Sequence, residues 1–281
     1  MGDIVIQLLP HILAAIGYAV LAFHFWNTRW RPRVEPAAAV PSSMLPWERA
    51  AIAAALAAQA LGLYIGMFGE EGMLFSFGLA LSLILWLAVL IYWLESFRSR
   101  MDGLQPLVLP LAALCALLPV FFPQARLVAH FRTTGFTFHF IAAMLAYSLF
   151  TLAALHAVFM SIAEAALHRR TTTPRLASLP PLLSMEALLF RVLQVAFMLL
   201  TVVLGSGVLF SEALFGKPLA FDHKTVFGFL SWGIFAILLI GRHFRGWRGR
   251  KALHWTLAGF MSLLLAYVGS RFVLEVVLGR V

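Results

Sequence analysis

Imidazole is the reactive group this chain holds in quantity. Its 281 residues carry nine histidines against twelve carboxylates and a single cysteine. A neutral imidazole ligates metal or haem iron, and an ionising one relays protons. Cys115, alone, forms no intramolecular disulfide and no thiolate metal set. His139 and His223 stand apart from the other histidines. Each heads a long apolar run, and each is crowded by phenylalanine: Phe131, Phe136, Phe138 and Phe140 about the first, Phe210, Phe215, Phe221 and Phe227 about the second. Two imidazoles on helices entering from one face can lie on either side of a planar ligand, the arrangement of a bis-histidine haem. A zinc ion wants more ligands than these, and only Asp222 is near enough in sequence to add one.

The elements that must position these residues are membrane helices. Apolar residues make up 62% of the chain and charged residues 12%, with a mean hydropathy of +0.91. A soluble domain carries about twice that charge, so lipid must solvate much of the apolar surface. A spanning helix takes about 20 apolar residues. Eight candidates follow: 4–26, 47–68, 74–96, 105–122, 137–162, 187–211, 224–241 and 254–278. Between them lie loop residues such as the tight Gly69-Glu70-Glu71-Gly72 turn and the three prolines of Thr171 to Pro181. The expected fold is an all-α, polytopic transmembrane bundle in one domain, 1–281, with no appended soluble part. The first segment has Asp3 and no basic n-region, so it reads as a retained helix.

Lysine and arginine set the orientation. One set of alternate loops carries Arg29, Arg31, Arg33, Arg98, Arg100, Arg169, Arg170, Arg175, Arg242, Arg245, Arg248, Arg250 and Lys251; the other carries Arg126, Arg132, Lys217 and Lys224. The richer set is expected in the cytoplasm, which places both chain ends outside. The net charge of +9 thus reads as a topology signal. Nucleic acid is excluded as a partner because no basic, aromatic-interleaved soluble segment exists to bind it. No internal repeat of the kind many transporters show is visible.

On this topology His11, His130, His139 and His223 lie toward the outer face, and His24, His156, His168, His243 and His254 toward the cytoplasm. His168, His243 and His254 flank basic loops and read as interfacial. His24 and His156 read as satisfied by neighbouring helices. At the outer face Arg126, Arg132, Lys217 and Lys224 are the basic residues of the internal loops, and they share those loops with the histidines. A haem needs apolar walls and cations for its propionates, and the phenylalanines with Arg132 and Lys224 supply both. The plainer reading is an aromatic belt with interfacial histidines, as in any membrane protein. Spacing alone also leaves His11 or His130 as a substitute for His139. Elsewhere, Glu186 reads as a helix-start residue paired with Arg191, Glu164 as a solvated helix end beside His168, and Gly205 and Gly207 as sites of close helix packing. Arg271 and Glu275, four apart, read as a pair on the last helix. Ser206 lacks the strand-turn-helix setting of a nucleophile. With no base-assisted nucleophile, paired carboxylates or metal cluster, no catalytic activity is expected.

The segment Gly207 to Thr225, GVLFSEALFGKPLAFDHKT, resembles the tryptophan-rich segment of the cytochrome c assembly family, membrane proteins that bind and hand over haem. Ala213, Gly216, Asp222, Lys224 and Thr225 match that segment in kind, while Phe210, Leu214 or Phe215, Leu219 and Phe221 stand at the tryptophan positions and His223 at a proline. Within the family the chain is similar to a HemX/YpjD-like branch. The likeness lies in His139 with Ala146-Tyr147, in Asp222-His223-Lys224-Thr225 followed by Trp232, and in Trp255 to Phe260 with Ala266-Tyr267 through Glu275. It covers residues from about 60 to 280. It implies an eight-helix inner-membrane protein of bacteria that handles haem, with cytochrome c assembly or haem biosynthesis proteins as partners. The chain departs from the family in having no tryptophan between Trp93 and Trp232. That loss counts against delivery of haem to apocytochrome c and leaves haem binding open.

The expected function is therefore haem handling or regulation of haem synthesis, with His139 and His223 as axial ligands, Arg132 and Lys224 on the propionates, and Phe136, Phe221 and Asp222 around them. The alternatives are a small-solute transporter whose histidines line its pathway, and a membrane scaffold or regulator whose histidines are inert.

Overall fold

The computed structural model describes residues 2–30, 44–69, 72–98, 103–123, 125–128, 133–168, 182–209 and 223–269. Among them are eight α-helices: α1 (Gly2–Phe25), α2 (Pro46–Met67), α3 (Phe77–Glu95), α4 (Gln105–Phe121), α5 (Thr134–His168), α6 (Leu182–Leu209), α7 (His223–Arg245) and α8 (Gly249–Leu264). A π-helical turn, Trp26–Trp30, extends α1, and another, Leu265–Gly269, extends α8. The protein is an all-α, polytopic membrane protein. Six of the helices are long and apolar enough to cross a bilayer, and α4 is a shorter apolar helix of 17 residues.

Local chemistry sets the helix starts. Pro46 opens α2 at the position where a missing N–H costs nothing. Glu48 turns back to accept the Leu45 amide at 2.8 Å. Ser76 caps α3 by accepting the Leu79 amide at 3.2 Å. α3 therefore begins three residues later than the apolar pattern suggests, because Gly72–Phe75 is a strand. That strand, β2, pairs antiparallel with β1 (Phe68–Gly69) on one side and β3 (Arg126–Leu127) on the other. Gly69 faces Gly72 across the first pairing, in accord with the tight turn expected there. Gly72 has φ of +136°, which a side chain would strain. The sheet ties the α2–α3 connection to the α4–α5 connection.

The helices pack as two groups of four. α1 lies on α2 and α4, and α3 on α4; α5 lies on α6 and α8, and α7 on α8 and α6. Contacts of α3 with α5 join the groups. α5 is the central element: 78% of its most apolar window is buried, against 28% for α6 and for α7. Phe150 of α5 stacks on Phe235 of α7 with ring centres 4.1 Å apart. Gly259 of α8 lies beneath Phe235, where an added Cβ would come within 2.7 Å of the ring. Ser231 donates to the Gly259 carbonyl at 3.0 Å in the same place. Such small-residue crossings let backbones approach where lipid removes the hydrophobic drive between helices.

Cross-helix contacts sort the connections onto two ends. The starts of α1, α3, α5 and α7 meet the ends of α2, α4, α6 and α8: His11 packs on Gly62, Phe77 on Phe122, His139 on Ser206 and Lys224 on Tyr267. At the opposite end His24 meets Glu48, Trp30 donates to the Gly103 carbonyl and Arg242 meets Glu186. This is the alternation that the lysine and arginine count requires of its two loop sets.

Candidate functional site

The first end of the bundle holds the site. α5 starts at Thr134, so His139 sits more than a turn inside the helix and not at its first residue. Its half-buried ring reaches α6, where Nδ1 lies 2.8 Å from Ser206 Oγ. A Cβ on neighbouring Gly207 would touch the imidazole at 3.8 Å. Ser206 Oγ also donates to the Val203 carbonyl at 3.1 Å. A hydroxyl has one hydrogen. With that hydrogen given to Val203, Ser206 accepts from His139, which carries its proton on Nδ1 and its lone pair on Nε2.

α7 brings the second group. His223 is its first residue and is exposed, and Lys224 follows it. Lys224 stands in electrostatic reach of His139. Its ammonium lies 5.9 Å from the centre of the Tyr267 ring, within cation–π range. Tyr267 in turn lies 5.8 Å from Tyr147, eight residues beyond His139 on α5, and the Tyr147 hydroxyl donates to the Leu263 carbonyl at 3.4 Å. Phe136 and Phe140 stack at 6.2 Å on α5 beside His139, and Phe75 meets Phe140 edge-on at 5.1 Å. Phe140 also borders an apolar cleft of about 340 Å³ among α2, α3 and α5, with Tyr64, Trp86 and Met144 on its walls. Arg132, Phe221 and Asp222 lie outside the described residues, as do His130, Phe131, Phe210, Phe215 and Lys217.

The remaining polar groups have structural explanations, some different from those expected. His11 is 2% exposed, sealed between α1 and α2 with its ring 3.0 Å from where a Gly62 Cβ would stand. His156 is held by the Met185 carbonyl at 3.0 Å. His24 lies 2.9 Å from Glu48, whose second oxygen takes Arg29 at 3.3 Å. Both histidines thus have a partner on a neighbouring helix, as expected, although His156 Nδ1 is buried with no hydrogen-bond partner among the described residues. Glu186 does not pair with Arg191. It takes Arg242 at 2.6 Å, because α7 returns beside the start of α6 and delivers a guanidinium from another helix. Glu164 is not simply solvated, and binds Arg250 at 2.9 Å. Among the described residues nothing lies within 4 Å of a Cβ on Gly205, while Gly207 faces His139. Close approach falls instead to Gly62, Gly78, Gly241 and Gly259. Arg271 and Glu275 lie outside the described residues. Glu48 and Ser206 were missed as partners. The capping position of Glu48, two residues after Pro46, was the available signal for one, while Ser206 had none beyond its place between two glycines.

Residues 46–278 match the model of the family described as cytochrome C assembly protein. The chain belongs to the cytochrome c assembly family. The matched stretch starts at the first residue of α2 and contains both His139 and His223, whereas α1 with His11 precedes it. An Escherichia coli K12 relative named inner membrane protein YpjD is 29% identical over 236 residues, covering 82% of this chain and 89% of its own length. A 28.8 kDa uncharacterized protein of Azospirillum brasilense is 33% identical over 143 residues, half of this chain and 52% of the relative. A cytochrome c biogenesis protein CcsA of Prochlorococcus marinus is 33% identical over 88 residues, 31% of this chain and 28% of its own. No solved structure gives a significant match. Like its YpjD relative, this member of the family is a multi-pass inner-membrane protein. Residues from distant segments of the matched stretch are linked here: His139 and Tyr147 on α5, Lys224 on α7 and Tyr267 on the turn extending α8.

Proposed function

We propose that this protein binds haem at the His139 end of the bundle and serves haem handling, as a carrier, sensor or assembly factor and not as a catalyst. One observation carries the reading. His139 is oriented through Nδ1 by Ser206 of α6, and Lys224 stands in electrostatic reach of it on the helix that His223 opens. Haem, when held there, supplies an iron that takes imidazole as an axial ligand. The residues present suit such a group. Phe136, Phe140 and Tyr267 offer flat apolar faces, Lys224 offers a cation for a propionate, and His223 is an exposed imidazole on the turn that carries Lys224. Arg132, Phe221 and Asp222 belong to the same two loops in sequence. His11, sealed at 2% exposure on Gly62, is a poorer ligand than His139. Membership in the cytochrome c assembly family supports the reading, as does the likeness to a cytochrome c biogenesis protein CcsA. On the lysine and arginine count this end faces outward.

The test is an oxidised-minus-reduced absorption spectrum of the purified protein, with His139→Ala and His223→Ala in parallel. The expected result is a Soret band that both substitutions weaken while the proteins elute as the wild type does. A wild-type protein that stays colourless when haem is supplied during expression would overturn the proposal and favour a transporter or a scaffold.

A further inference from the structure

The opposite end of the bundle carries a second constellation, on the hairpin that joins α7 to α8. Residues 242–251 hold Arg242, His243, Arg245, Arg248, Arg250 and Lys251 and no carboxylate. The hairpin is held in one shape. Gly246 and Gly249 adopt φ of +62° and +55°, a conformation other residues rarely take. Trp247 folds back on α7, so close that a Cβ on Gly241 would lie 2.5 Å from its ring, and its amide donates to the Gly241 carbonyl. Glu186 ties the turn from below, accepting Arg242 at 2.6 Å and the Gly249 amide at 3.4 Å.

These ties divide the cations. Arg242 is drawn inward, between Glu186 and the face of Phe190 at 4.6 Å. Arg250 is drawn to Glu164. Arg245 and Lys251 are exposed, and Lys251 stands 3.7 Å over the Trp247 ring. Arg248 is 62% exposed and only 3.7 Å from a Glu186 oxygen already taken by Arg242. The α5–α6 connection, 169–181, adds Arg169, Arg170 and Arg175 to this end in sequence and no carboxylate.

What faces these cations is indicated by α7 itself. An exposed apolar strip, Val226, Leu230, Ile237, Ile240 and Phe244, runs along the helix and ends at Phe244, 78% exposed, one residue before Arg245. A strip of that kind faces acyl chains, and the level at which it gives way to arginine is the headgroup level. A soluble acidic protein or a nucleic acid would meet the cations but leave Phe244 uncovered.

We propose that the α7–α8 hairpin is a binding site for the phosphodiester headgroup of an anionic phospholipid, with Arg245, Arg248 and Lys251 as its cations and Phe244 against the acyl chain. The site is independent of the haem reading.

The purified full-length protein in neutral detergent is titrated with phosphatidylglycerol and, separately, phosphatidylcholine of the same chains, and bound lipid is counted by native mass spectrometry. The wild type should prefer phosphatidylglycerol by roughly tenfold or more, and Arg245→Gln/Arg248→Gln/Lys251→Gln should lose most of that preference. Salt near about 0.5 M should abolish it in the wild type, which keeps the test decisive should the triple variant not fold. Equal binding of the two lipids, or a preference that the variant or salt leaves intact, would overturn the site. So would complete displacement of lipid by inorganic phosphate at matched concentration, or binding of a DNA duplex as tight as that of the lipid.

Discussion

The two ends of the bundle handle charge in opposite ways. Inside the His24 end, cations meet carboxylates: Arg29 and Glu48 are 5% and 2% exposed and in contact, and the part-buried Arg242 closes on Glu186. At the His139 end the cation is an exposed lysine lying over an aromatic ring, and the imidazole is held by a neutral hydroxyl. A buried carboxylate fixes a cation as part of the scaffold, because separating the pair strands a charge in a low-dielectric interior. A hydroxyl orients an imidazole without adding a charge of its own. Inside the bundle the His24 end is therefore tied by charge pairs between helices, with its exposed cations out on the α7–α8 hairpin, whereas no such pair is present at the His139 end among the described residues.

The comparison breaks most readily at Glu48. Glu48→Ala leaves Arg29 buried without its carboxylate and should cost about 3–5 kcal/mol, read as a lowered unfolding temperature or lost monomer in detergent. His139→Ala, by contrast, should change stability by less than about 1 kcal/mol while removing haem colour. Similar losses of stability in the two variants would erase the distinction between the ends.

Ser206 sharpens the same contrast. Partners that orient a ligating histidine typically contribute 10–100-fold to affinity, so Ser206→Ala should weaken haem retention by about that much without unfolding the protein, and Ser206→Thr should restore most of it. A haem titration of both variants checks this; an unaffected Ser206→Ala would show that His139 needs no orienting group. Gly78 tests whether the His139 end is rigid where helices cross. Its added Cβ would lie 2.8 Å from the Leu118 carbonyl, a backbone atom that cannot swing away. Gly78→Ala should cost about 1–3 kcal/mol in thermal denaturation, and no change would mean that α3 and α4 slide freely. The smallest effect belongs to Arg250→Ala. Its pair with Glu164 is 66% and 22% exposed, so the loss should stay under about 1 kcal/mol. A larger one would mean that the hairpin end depends on its rim as well as on Glu186.

Much of this was legible in the residues. The eight apolar segments match the eight helices to within a few residues at most ends, because a 20-residue apolar run in lipid has only the helix to satisfy its backbone. The misses have local causes. The third helix starts late because Gly72–Phe75 pairs into the small sheet, and strand pairing depends on Arg126–Leu127, some fifty residues on. Glu186 was paired with Arg191 because four- and five-residue spacings are what a sequence displays, while Arg242 is fifty-six residues away. Gly205 was read as a packing residue from its neighbours, yet among the described residues nothing lies within 4 Å of where its side chain would start.

The sequence by itself determined the class of the protein, the sorting of its loops onto two ends and the candidates His139 and His223. Hydropathy, the charge of the loops and residue type act locally, and each can be read one segment at a time. Only the tertiary structure decided which groups meet: Ser206 on His139, Lys224 over Tyr267, and Glu48 between His24 and Arg29. These are contacts between helices, set by the rotation of each helix about its own axis. That rotation follows from packing at such crossings as Phe235 on Gly259, which depends on partners distant in the chain.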